Sequence, residues 1–218
     1  FEENVKSGVQ VGDNFFPGHS GLFKDPDIHA AYFALDHTQG RGTAIFISAQ
    51  DQAGNSSEKR FHTYIRNRKF STDVLNISDR FLADKIQGFP VDGSNLRFTQ
   101  EQGGLLDKYV MINSDVRKEN VEKLLAVQAG TEAKKYWEGR FLQLKRAQKR
   151  AGFGDRRIYK HKGKEIDRAV HLGVDLASTA NATVEAANAG WVIFTGEVGI
   201  FGKVVIIDHG MGLASLYS

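Results

Sequence analysis

At 218 residues, 41% hydrophobic and 25% charged, the chain has the material for a real core and the balance of an ordinary globular protein. No apolar run approaches the ~20 residues that cross a bilayer, and no basic–apolar–small signal segment opens the chain. The absence of cysteine excludes disulfides, thiol catalysis and cysteine-ligated zinc, leaving His, Asp and Glu as the strong metal ligands. A net charge of +3 favours an anionic partner but is too small to choose one. Phe1 in place of Met is what a processed or cut chain shows.

The first third reads as β. Thr43 to Ala49 is a compact β-branched and aromatic run, Asp51-Gln52-Ala53-Gly54-Asn55 carries turn chemistry, and Phe61-His62-Thr63-Tyr64-Ile65 alternates like a half-buried strand. Short strands with Gly, Asn and Asp turns predict a small sandwich. The string from Ala44 through the Ala-Gly-Asn turn to Ile65 resembles bacterial immunoglobulin-like modules, over roughly residues 10–70. That resemblance implies a spacer or adhesive role, not chemistry.

The middle reads as helical. Leu75, Ile77, Phe81, Leu82 and Ile86 predict one helix, closed by Gly88 and Pro90. Val116, Val121, Leu124, Leu125 and Val127 predict a second, with Ser114 as its N-cap and Gly130 as its stop. A loop is expected between them, from Gly88 to Gly104. From Lys134 to Arg168 the chain turns basic, with thirteen Lys and Arg against Glu138, Asp155, Glu165 and Asp167. Such a run is either a groove wall for an anionic ligand or, more commonly, a solvated face. It lacks the aromatic interleaving of a base-stacking surface, so no nucleic-acid partner is expected.

The last third is β again. Gly190 to Gly196 and Lys203 to Asp208 are apolar runs between glycine turns, and Leu213 to Tyr217 begins another. Trp191, with apolar neighbours on both sides, is expected in the core rather than as a sugar platform. Ahead of these strands, His171 and Asp175 stand four positions apart in His171-Leu172-Gly173-Val174-Asp175. One imidazole nitrogen and one carboxylate oxygen at that spacing can reach a single zinc ion, but two ligands do not complete a zinc site.

The surroundings of that pair are more specific. Phe153-Gly154-Asp155-Arg156-Arg157 leads to Tyr159 and then to His171–Ala177. Val184-Glu185-Ala186-Ala187, Gly190-Trp191-Val192, Gly199, Gly202 to Gly210 and Gly212 to Tyr217 follow in order. This succession resembles the catalytic domain of the LytM/lysostaphin-type zinc metalloendopeptidases, from about Trp137 to the chain end. The resemblance implies a small antiparallel β fold with one zinc in its groove, His171 as first ligand and Asp175 as second. The third ligand of such enzymes is the last histidine of a later His-x-His pair. Their other catalytic histidines are the first of that pair and one directly after a Tyr-x stretch like Tyr217-Ser218. None of those three is present, so the site reads as C-terminally incomplete, the next residue is expected to be histidine, and the chain as written is expected to have little or no peptidase activity. His209 and Tyr217 are candidate substrate contacts, a structural or groove-lining role being the favoured reading for His209.

The resulting expectation is a mainly β chain with a helical middle, an α+β protein: an immunoglobulin-like β-sandwich over residues 1–70, a helical and loop region over 71–135, and a LytM-type antiparallel β domain over 136–218. By resemblance it is a zinc-dependent endopeptidase of peptidoglycan cross-links, exported to the periplasm or cell envelope. A non-catalytic LytM-like activator or scaffold for other wall hydrolases is the alternative.

Overall fold

The computed structural model describes residues 5–91, 98–99 and 103–218. The N-terminal β pattern forms one four-stranded antiparallel sheet of β1 (Lys6–Val11), β2 (Asn14–Pro17), β3 (Ile45–Gln50) and β4 (Ser56–Arg60), in the order β2-β1-β3-β4. The register sets Val9 opposite Ile47 and Val11 opposite Ile45. Val9, Val11 and Ile45 are buried, with Phe16, Ala31, Leu35, Phe61 and Ile65 packed around them. Alternation alone placed the last strand too late. Phe61–Ile65 is not a strand; the wholly exposed Ser56–Arg60 pairs with β3, because the Asp51–Asn55 turn returns the chain at once. In that turn Asp51 Oδ1 accepts the Asn55 N–H at 2.8 Å.

Leu75 belongs to a strand, not to the first predicted helix. β5 (Thr72–Asn76) pairs in parallel with β7 (Arg156–His161), which pairs antiparallel with β8 (Lys164–Val170). The helix begins later because Ser78 caps it, its Oγ accepting the Phe81 N–H at 3.1 Å. This α1 (Asp79–Phe81) runs into a π-helical turn over Leu82–Ile86. The loop expected from Gly88 to Gly104 lies mostly outside the described residues.

Ser114 is likewise not a cap. The second helix starts nine residues earlier, as α2 (Leu105–Met111), where the Asp107 carboxylate accepts the Gly104 N–H at 2.9 Å. It continues through a π-helical turn over Ile112–Val116 into α3 (Arg117–Val127). Ser114 sits inside and donates its hydroxyl to the Val110 carbonyl at 2.8 Å, the bond such a side chain makes when the helix leaves it nothing to cap. A 3₁₀ turn over Gln128–Gly130 ends the element near the predicted stop.

Helices and C-terminal strands share two cores. Leu82, Ile86, Tyr109, Ile112 and Val116 pack on Tyr159 of β7. Leu124 of α3 packs on Val198, Val204 and Ile206. The latter core lies against an antiparallel sheet of β10 (Trp191–Glu197), β11 (Lys203–Gly210) and β12 (Leu213–Tyr217). The remaining pair is β6 (Gln148–Ala151) with β9 (Asp175–Ala177). The chain is thus mainly β with a helical middle and small antiparallel sheets, and no described helix is long and apolar enough to cross a membrane.

Trp191 departs from expectation: it is 65% exposed, its ring edge against Tyr136. Its strand is the outer strand of three, and Phe194 is the β10 residue that packs onto the core.

Candidate metal centre

His171 follows β8, and a short backbone exchange fixes it there. It donates its N–H to the Asp155 carbonyl at 2.9 Å, and its own carbonyl accepts the Gly154 N–H at 2.7 Å. Residues 152–155 form a turn closed by the Asp155 carboxylate, which accepts the Gly152 N–H at 2.5 Å and the Ser71 hydroxyl at 2.6 Å. The Ser71 bond first, and the Gly152 bond after it, hold the Asp155 carboxyl below the usual aspartate range. Gly154 is required in this turn. Its φ is +84°, and a Cβ there would lie 2.2 Å from the Phe70 ring.

The turn also selects the imidazole tautomer. His171 Nδ1 lies 3.0 Å from the Gly152 carbonyl oxygen, which can only accept, so Nδ1 carries the proton. Nε2 points the other way and faces Asp175 Oδ1 at 3.0 Å, an ion pair when the ring carries both protons. Two lone-pair atoms at that distance are held together by a proton or a cation between them. The other carboxylate oxygen, Oδ2, accepts from the Arg157 guanidinium at 3.0 Å. The His171 side chain is mostly buried at 14% exposure, whereas Asp175 keeps 53%.

The two residues picked out by spacing therefore converge, and their donor atoms are of the kind zinc takes: an imidazole nitrogen whose ring partner is bonded to a carbonyl, and a carboxylate oxygen. They fit as two ligands of such an ion. Among the described residues, no group of three or more His, Asp or Glu side chains could hold a metal.

The substrate candidates lie in a different sheet, that of β10, β11 and β12. His209 has 0% exposure, so it offers no surface for direct substrate contact. Its Nδ1 lies 2.6 Å from the Ala189 carbonyl oxygen and its Nε2 2.8 Å from Ser215 Oγ, and the Phe141 ring stands edge-on at 4.8 Å. Tyr217, half-buried, accepts the Ala187 N–H at 2.7 Å and shares a 3.0 Å hydrogen bond with Ser215. These bonds tie the 187–189 segment to β11 and β12. Gly190 allows the approach, since a Cβ there would lie 2.4 Å from the Asp208 carbonyl oxygen.

The roles of Arg157, Asp155 and the Gly152 carbonyl are not legible from spacing alone; the one local signal for them is the Phe153–Arg157 string, one β-hairpin ahead of His171. The Ser71–Asp155 bond, 84 residues apart in the chain, left none. The basic run from Lys134 to Arg168 is also partly neutralised by folding. Lys145 pairs with Glu185 at 2.8 Å, Lys162 with Asp79 at 3.0 Å and Arg168 with Glu165 at 2.6 Å, besides Arg157 with Asp175.

Residues 169–218 match the model of Peptidase family M23. The LytM-type resemblance and the family match agree over that stretch, which holds both His171 and Asp175. The chain matches no curated protein.

Proposed function

With a C-terminal region of the M23 peptidase type as the premise, we propose that the chain is a zinc-dependent endopeptidase acting on the peptide cross-links of bacterial peptidoglycan, in the periplasm or cell envelope. The observation that carries this reading is the convergence of His171 Nε2 and Asp175 Oδ1 at 3.0 Å, each residue held from behind by a partner on its other polar atom. A zinc ion supplies Lewis acidity, lowering the pKa of a water and polarising a scissile carbonyl. The protein's part is orientation. The Gly152 carbonyl keeps the His171 proton on Nδ1, and Arg157 occupies one oxygen of Asp175 so that the other faces the imidazole.

Zinc catalysts keep three protein ligands and one open position, and two donors alone hold the ion weakly. The absence of a third donor among the described residues favours a second reading, a non-catalytic M23-type activator or scaffold. Calorimetric zinc titration of the chelator-stripped chain, beside H171A and D175A, tests the metal centre. Weak saturable binding that either substitution removes is expected. Equal zinc uptake by parent and H171A would sink it. Incubation with purified peptidoglycan separates the two readings. EDTA-sensitive release of cleaved cross-link peptides, expected to be slow at this donor number, belongs to the peptidase. Stimulation of another wall hydrolase, without cleavage by the chain itself, belongs to the scaffold.

A further inference from the structure

A concentration of unpaired positive charge lies in the N-terminal part, outside the M23-matching region. Lys59-Arg60-Phe61-His62-Thr63-Tyr64-Ile65-Arg66-Asn67-Arg68-Lys69 contains five Lys and Arg residues and no carboxylate. Among the described residues, none of those five makes an ion pair, and neither does Arg41; Glu58, two positions before Arg60 on β4, does not pair with it either. In the basic run from Lys134 to Arg168, four of the thirteen, Lys145, Arg157, Lys162 and Arg168, have found a carboxylate.

Two of the unpaired guanidinium groups belong to one cavity. Arg41 and Arg60 line a cavity of about 290 Å³ with Thr43, Thr63, Tyr64 and Ile65, and no acidic residue lines it. The cavity wall is pre-formed. Arg41 donates its backbone N–H to Asn67 Oδ1 at 3.1 Å, and its guanidinium carbon lies 6.0 Å from the centroid of the Tyr64 ring. The loop before it is tied by Asp36, whose Oδ1 accepts from the Thr38 and Gln39 N–H groups at 2.6 and 3.1 Å, and by the Gly40 N–H donating to Thr43 Oγ1 at 3.0 Å. Two arginines lining one cavity with no carboxylate in its wall favour an anion there. A guanidinium presents a planar fork of N–H donors that matches the oxygens of carboxylate or phosphate.

We propose that the cavity lined by Arg41 and Arg60 is a binding site for an oxyanion, a phosphate or a carboxylate group. Both arginines donate to the anion, and the ring of Tyr64, 72% exposed, forms the floor beneath Arg41. This site requires no metal and stands whether or not the M23-type region is a peptidase.

The test is a nuclear magnetic resonance titration of the ¹⁵N-labelled full chain at low ionic strength, with EDTA present. Sodium phosphate, sodium acetate and sodium chloride are added in separate series to the parent, R41A, R60A and R168A. Saturable shifts of amides in residues 41–43 and 60–65 are expected with phosphate, acetate or both, and the responding salt identifies the source of the oxyanion. Loss of one charge-assisted fork should weaken binding by about tenfold or more in R41A and in R60A. R168A, whose arginine already pairs with Glu165, should bind as the parent does. Shifts that follow chloride as closely as the oxyanions, or midpoints unchanged in both R41A and R60A, overturn the site.

Discussion

At the residue scale, the candidate centre depends on groups outside the His171/Asp175 pair, Asp155 and Ser71 foremost. Asp155 organises the turn that presents the Gly152 carbonyl to His171, and it does so as a carboxylate, because only the ionised form accepts both the Ser71 hydroxyl and the Gly152 N–H without supplying a proton. Its folded pKa is depressed, so its contribution to stability is present above the ordinary aspartate range and lost as pH falls through the folded value. Acid unfolding of the parent should therefore show a loss that D155N lacks. The two proteins should differ most at neutral pH and converge in strong acid. Parallel acid-unfolding curves would remove Asp155 from this role. The pair His171 and Asp175 was legible from spacing, but the nitrogen facing Asp175, the bonded oxygen and the arginine behind it were not, since each is decided by a partner from another element.

At the element scale, α3 and β11 hold the C-terminal sheet to the helices. Ile206, fully buried, packs with Leu124 of α3 and with Val198 and Val204. Ile206→Ala removes apolar volume from a site whose walls belong to two elements, and should cost about 2–5 kcal/mol. Urea unfolding with fluorescence detection checks this, and a loss below the range would show that the sheet closes over the gap. The predicted strands of this sheet fell where expected because apolar runs between glycine turns specify both ends of each strand. The helix starts were misplaced for a different reason. Ser114 has the chemistry of a cap, but a cap works only where the preceding residues cannot extend the helix, and Leu105–Met111 extend it. Leu75 has the hydrophobicity of a helix face, yet its backbone is used by β7, a partner more than eighty residues downstream.

At the scale of the whole molecule, an aromatic chain joins the N-terminal part to the C-terminal sheet. Tyr32 meets Trp137 edge-on at 5.1 Å, Trp137 meets Phe141 at 6.2 Å, and Phe141 meets the buried His209 at 4.8 Å. Trp137 is buried, so W137A should cost about 3–5 kcal/mol of packing. Calorimetric unfolding reads that cost, and an unchanged melting temperature would mean the contacts carry no coupling. Further from the candidate centre, β5 and the Ser71 hydroxyl support the His171 turn from behind, so residues 71–76 share a sheet with residues 156–170. What the sequence by itself determined is local: the absence of cysteine chemistry, the glycine-bounded strands, and the His171/Asp175 spacing inside an M23-like string. Those follow from residue type and near neighbours. The tertiary structure alone decided which charges were neutralised, which aromatic was exposed and which histidine was sealed. Lys145 found Glu185 and Arg157 found Asp175, whereas Arg41 and Arg60 were left facing one cavity, Trp191 remained outside on an outer strand, and His209 was enclosed. Burial and pairing are properties of contacts between distant segments, and chain spacing carries no record of them.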